Sequence, residues 1–142
     1  MRFLLVVGAF ALTLVSVAVA QPDKVPLPAD VRVVAPGAGT PEPAAKFSGK
    51  WYGVWDGTLR HILVVEKVEG TDAVVVYAWG DSHQWQTKAG STRVPGKIEN
   101  NTLTIHLRRP ATVSYKMKAD GSLDATYQWA GMSDRATLKR VE

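Results

Sequence analysis

Cysteine is absent from the chain. Its absence excludes disulfides, thiol nucleophiles and cysteine-ligated metals, so stability must come from packing and hydrogen bonding. Histidine is scarce: His61, His83 and His106 stand in distant segments with no H-x-H or H-E-x-x-H pair, and no metal site is expected. There is no G-x-S-x-G, and the Ser, His and Asp residues show no triad-like spacing. Runs of one charge are missing too. The formal net charge is +4, with Lys and Arg scattered among Asp and Glu, whereas a nucleic-acid surface needs a clustered basic stripe. Helical periodicity with caps is found nowhere. These absences leave no expected catalytic residue, cofactor or nucleic-acid partner.

What is present begins with a secretory signal over residues 1–20. Met1-Arg2 supplies a positive start, Phe3 to Val17 holds no charge, and Ala18-Val19-Ala20 offers small residues to a signal peptidase, leaving Gln21 first. An uncleaved anchor is the alternative, but a small-x-small end followed by Gln-Pro-Asp favours cleavage and no stable membrane insertion afterwards. Lipid attachment is excluded because no cysteine follows the apolar run. Loss of Arg2 lowers the net charge from +4 to +3, a mild excess that serves solubility. A secreted domain without disulfides points to a bacterial periplasmic or extracellular location.

Residues 21–46 hold six of the eight prolines and one short apolar patch, Val31 to Val34. Proline this frequent stops helices and ladders alike. The segment is expected to be a flexible, polyproline-like tail, either a spacer or a partner-binding arm that loses little entropy on docking.

From Phe47 to Glu142 the pattern changes to period 2, the mark of half-buried strands. Trp51, Gly53 and Trp55 share one face of a first strand. Leu59 to Lys67 and Ala73 to Trp79 form two nearly continuous apolar strands, the former of unclear register. Val94, Gly96 and Ile98 share a face of a fourth strand, and Leu103, Ile105 and Leu107 one of a fifth. Val113, Tyr115 and Met117 belong to a sixth, Leu123, Ala125, Tyr127 and Trp129 to a seventh, and Ala136, Leu138 and Arg140 to an eighth. Asn100-Asn101 and Asp120-Gly121 read as two-residue hairpin turns, with further breaks at Glu69 to Asp72 and Arg109-Pro110. Eight short strands at this spacing predict an all-β antiparallel meander. It covers its apolar side and removes its edges most simply by closing into an up-and-down barrel, with a β-sandwich as the runner-up.

Gly49-Lys50-Trp51 on the first strand and Arg140 on the inward face of the last resemble the lipocalin and calycin pattern. In that pattern a last-strand Arg packs across the first-strand Trp and closes one barrel end. Trp51-x-Gly53-x-Trp55, Val-Tyr-Ala-Trp-Gly at 76–80, Val-Pro-Gly-Lys-Ile at 94–98 and Leu138-Lys139-Arg140 are similar to small exported bacterial lipocalin-like domains. The resemblance covers residues 47–142. A lipocalin's longer chain, helix and disulfides are missing, as are the polar groups an avidin-type barrel needs for biotin. The resemblance implies a calycin-like fold and a non-catalytic binding role. Independently, a guanidinium over an indole contributes about 0.5–2 kcal/mol, and an inward Arg without partners would be costly. Trp51 and Arg140 are therefore expected to stack.

The longest polar connection, Gly80 to Gly90, carries Trp85 among Asp81, His83 and Gln84. Trp85 is either a stacking platform with Asp81, His83 and Gln84 as polar contacts, or a plug folded back over the barrel end. Trp51, Trp55, Tyr77, Trp79, Tyr115, Tyr127 and Trp129 fall on the inward parity and are expected mainly to fill a squat barrel. His61 fits either face, and His106 is expected in solvent. The leading expectation is an exported non-enzymatic binder of a small, partly apolar ligand at a mouth formed by Trp51, Trp79, Trp85 and Trp129, with Asp81 and His83 beside them. A protein-interaction or inhibitor module acting through residues 21–46 is the alternative, and a hydrolase ranks third.

Overall fold

A computed structural model of the chain describes residues 25–108 and 110–141. The expected signal and residues 21–24 of the Pro-rich segment lie outside the described residues. The elements run α1 (Glu42–Ala45), β1 (Gly49–Trp55), β2 (Leu59–Glu69), β3 (Asp72–Trp79), β4 (Gly90–Glu99), β5 (Thr102–Leu107), β6 (Ala111–Met117), β7 (Leu123–Trp129) and β8 (Met132–Val141). Each strand pairs antiparallel with the next, and β8 returns to β1 through Lys50↔Val141, Trp51↔Arg140 and Tyr52↔Lys139. The sheet is a closed eight-stranded barrel. Closure replaces the sandwich alternative and leaves no free edge strand.

Alternation becomes inside and outside. Trp51, Trp55, Leu63, Val65, Val75, Leu103, Ile105, Val113, Tyr115, Leu123 and Leu138 are all essentially inaccessible and form one interior cluster. At Gly53 the wall is tight: an added Cβ would stand 2.6 Å from the Thr137 carbonyl oxygen of β8. Asn100 and Asn101 both take positive φ, 52° and 57°, as a primed two-residue turn requires. The turn at Asp120-Gly121 is wider than the two-residue form expected. Lys118 N–H donates to Ser122 O, Gly121 N–H donates to Lys118 O, and Asp120 Oδ1 accepts from both the N–H and the hydroxyl of Ser122. The absence of helix is also corrected by one turn. Pro41 opens α1, a favoured place for a residue without an N–H, and Ala44 and Phe47 bury beneath one end of the barrel.

The part of the Pro-rich segment that the structure describes, residues 25–46, is held against the barrel and is not a free tail. Val25, Leu27 and Val31 pack on Ile62, Val64, Val76 and Ala78, which face outward from β2 and β3. Glu66 anchors this cover: it takes Arg32 N–H on Oε2 at 2.9 Å, Arg93 Nε–H on Oε1 at 2.6 Å, and Val34 N–H on its backbone oxygen at 2.8 Å. Arg93 also reaches Asp30 of the segment at 3.1 Å. Apolar burial and a charged clamp on the barrel wall outweigh the extended preference of a proline-rich chain.

Candidate functional site

The antiparallel register gives the barrel two different ends. At the first, where β1 begins and β8 finishes, the Arg140 guanidinium lies 4.2 Å from the centroid of the Trp51 ring. Its two terminal nitrogens donate to Ser48 O at 2.6 Å and Lys46 O at 2.7 Å. Trp51 Nε1–H donates to Phe47 O at 2.9 Å. Gly49 has φ +123°, and a Cβ there would meet Arg140 Nη1 at 2.6 Å, so only glycine admits the guanidinium. With α1 beneath it, this end is shut.

The second end, where β1, β3 and β7 finish, is the mouth. Trp79 and Trp85 are half-buried and pack on the interior cluster. Trp79 Nε1–H donates to Lys88 O at 2.7 Å, and Trp85 Nε1–H donates to Thr58 Oγ1 at 2.8 Å, which ties the 80–90 loop to the β1–β2 turn. Ser82 and Thr87 exchange two backbone bonds of 3.0 Å inside that loop. Asp81 Oδ1 accepts from Ala89 N–H at 2.6 Å and so braces the loop. The His83 side chain is exposed. Trp129 stands at the rim, 39 % exposed.

The residues expected at one mouth are therefore divided. Trp79, Trp85 and Trp129 share this end, with Asp81 and His83 on its loop, whereas Trp51 belongs to the opposite end and is sealed there. Trp85 folds back over the barrel rather than standing out from it.

Below the rim lies a polar, aromatic floor. His61 is fully buried and faces inward. Its Nδ1–H donates to Ala78 O at 2.7 Å, and its Nε2 accepts from the Tyr115 hydroxyl at 2.8 Å, which defines the neutral tautomer. Burial lowers its pKa to about 4. Trp55 stacks on His61 with centroids 5.4 Å apart and meets Tyr127 edge-on at 5.9 Å. The Trp55 ring is 1 % exposed, yet its Nε1–H makes no hydrogen bond. That N–H lies near enough to the Tyr77 hydroxyl to favour its ionised form, without the geometry of a bond.

Two carboxyls complete the mouth. Asp56, in the β1–β2 turn, takes Arg135 N–H on Oδ1 at 3.1 Å and interacts with the Asp134 carboxyl. Asp134 follows the inward parity of Ala136 and Leu138 on β8, pairs with Tyr127 on β7, and is close enough to Tyr77 to raise its pKa. Burial first, and then the Asp56 carboxyl, push Asp134 up to about 6, while the same contact lowers Asp56. Two carboxyls that influence each other in this way titrate as a pair.

Neither Asp56 nor Asp134 figured among the expected site residues. The signal existed: counting back from Ala136 puts Asp134 on the apolar parity, but the eighth strand starts at Met132, ahead of Ala136, the first residue assigned to it from the sequence. His106, in contrast, is exposed on the outer wall, 3.2 Å from Thr112 Oγ1. A depression of about 610 Å³ beside it, over the outside of β4 and β5, is lined by exposed and half-exposed residues such as Lys97, Thr102 and Thr104. It has no buried polar group to fix a ligand. Among the described residues, no group of three His, Asp or Glu stands together in a metal-binding arrangement.

No protein-family model matches the chain, and a search of curated proteins finds no similar sequence.

Proposed function

We propose that this chain is an exported, non-enzymatic binding protein with a calycin-like barrel, taking a small, partly apolar ligand at the mouth. The observation that carries the reading is the rim of Trp79, Trp85 and Trp129 over a floor that includes a buried, unpartnered indole N–H. Small-molecule sites combine that kind of apolar lining with a few fixed polar groups. The interior below is filled by side chains, so the ligand sits at the end of the barrel and not in a deep cavity. A tail-borne interaction role receives less support, because residues 25–34 are already engaged on β2 and β3.

The test is to express the full precursor in a bacterial periplasm and weigh the mature protein by native mass spectrometry. The expected result is a stoichiometric extra mass that disappears on denaturation and is lost in Trp85→Ala. A clean apo mass starting at Gln21, unchanged after exposure to cell extract, overturns the mouth reading while leaving export in place.

A further inference from the structure

We propose that the outer wall of β2 and β3 is an interface with a second copy of this chain. Two copies exchange their amino-terminal segments, so that residues 25–34 of each lie on the wall of the other. The proposal is independent of the mouth reading above.

The wall holds a separable segment. Ile62, Val64, Val76 and Ala78 face outward from a barrel already closed by its own eight strands, so residues 25–34 can leave them without opening a ladder. β2 carries a bulge at the docking point: Val65 pairs with Val75 and Lys67 with Val74, which leaves Glu66 without a register partner on β3. Glu66 meets the segment with both backbone and side chain. Its carbonyl takes Val34 N–H at 2.8 Å, its carboxylate takes Arg32 N–H at 2.9 Å, and Arg93 joins that carboxylate to Asp30. Each copy carries all of these groups, so a segment arriving from a neighbour makes the same contacts as the chain's own.

Two further observations point to exchange. The first is the connection to α1. Residues 35–40 read Ala-Pro-Gly-Ala-Gly-Thr and run into Pro41. Within one copy they bend: Thr40 N–H donates to Gly37 O at 3.1 Å, and Gly39 takes φ +86°. Pro36 and Pro41 favour an extended path instead, and six extended residues reach about 20 Å, which carries the segment across to an adjacent barrel. Opening the bend trades a conformation that relies on glycine for one that the prolines prefer.

The second observation is what the segment leaves uncovered. Val33 and Val34 are 46 % and 48 % exposed, and Val74, the register partner of Lys67 beside the bulge, is 37 % exposed. These are three of the five large hydrophobics exposed among the described residues, and they gather where the segment, the bulge and β3 meet. Apolar surface collected at one place marks contact with another molecule, and a barrel drawn alongside by exchanged segments covers it. The resulting pair is two-fold symmetric and closed. Within one copy the hinge keeps the segment close to its own wall, so exchange grows with protein concentration.

The test uses the mature full-length protein. Chains labelled with 13C and unlabelled chains are unfolded together in urea and refolded at ~1 mM, then sized by light scattering. Expected is a dimer that returns to monomer after long incubation at ~1 μM. Isotope-filtered NOEs should connect the methyls of Val25, Leu27 and Val31 on one chain with those of Ile62, Val64 and Val76 on the other. Val33→Lys with Val74→Lys should weaken the dimer at least ~10-fold while the methyl spectrum of the barrel interior is retained. Deleting Ala38 and Gly39, which prevents the bend, should make the dimer persist on dilution. A wild-type protein that stays monomeric at ~1 mM overturns the proposal. So does a dimer without filtered NOEs between segment and wall, which would mean that the copies meet through another surface.

Discussion

His61 is enclosed at the centre of the barrel, and both its ring nitrogens are used. An imidazole placed this way is a structural bridge between β2, β3 and β6, and burial keeps it neutral. Its partner shows how the bridge can be measured. His61→Phe leaves the Tyr115 hydroxyl buried and unpaired, and the expected loss is about 1–3 kcal/mol. Adding Tyr115→Phe removes the orphan as well, so the double variant should recover roughly 1 kcal/mol of that loss. Urea unfolding with an unchanged m-value is the readout. A double variant less stable than the wild type by the sum of the two single losses would show that the hydroxyl and the ring act independently.

At the scale of elements, β2 and β3 differ from the other six strands because both of their faces are buried. Leu63, Val65, Val75 and Tyr77 look into the barrel, while Ile62, Val64, Val76 and Ala78 lie under the segment from Val25 to Val31. Removing residues 21–36 should therefore lower stability by roughly 2–4 kcal/mol and raise binding of an apolar dye. An unchanged midpoint and no added dye binding would mean the outer patch needs no cover. The clamp itself depends on pH. Hydrogen bonding from Arg93 holds Glu66 and Asp30 below the ordinary carboxylate range, so the tie is complete above that range and is lost as pH falls through the lowered values. The same two strands show what was legible beforehand. Alternation located eight strands and the inward faces of all but the second, because closing the barrel asks of each strand the period-2 pattern that a sequence displays. It could not settle Ile62 to Val65, where apolar residues on both faces erase the period. The explanation lay in Val25, Leu27 and Val31, hidden among prolines that favour an extended chain but do not forbid docking. The mouth was legible in its large residues, Trp79, Trp85 and Trp129. Asp134 escaped because a carboxyl just before a strand's apparent start looks like a loop residue, and because its partner Asp56 becomes a neighbour only when β8 closes on β1.

For the molecule as a whole, two groups of opposite sign shape stability between acid and neutral pH. His61 has a native pKa of about 4 against 6.5 when exposed, so the unfolded chain binds its proton more readily and stability increases as pH rises from 4 to 6.5. The shift corresponds to about 3 kcal/mol over that window. Asp134 works against it. With a native pKa of about 6 against 3.8, the folded chain holds its proton more tightly, and stability decreases as pH rises through nearly the same window. Asp134 is half-buried, so solvent screening reduces its share to about 1 kcal/mol. The wild type should therefore gain only about 2 kcal/mol between pH 4 and pH 6.5, the two terms partly cancelling. In Asp134→Asn the gain should approach the full 3 kcal/mol, and this variant should be the more stable protein at pH 7. Equilibrium urea unfolding of both proteins at half-unit pH intervals measures the difference. Parallel profiles would show that Asp134 titrates as an ordinary carboxyl and shares no proton with Asp56. If the profiles diverge as expected, the chain carries at its mouth a charge that weakens the fold at neutral pH.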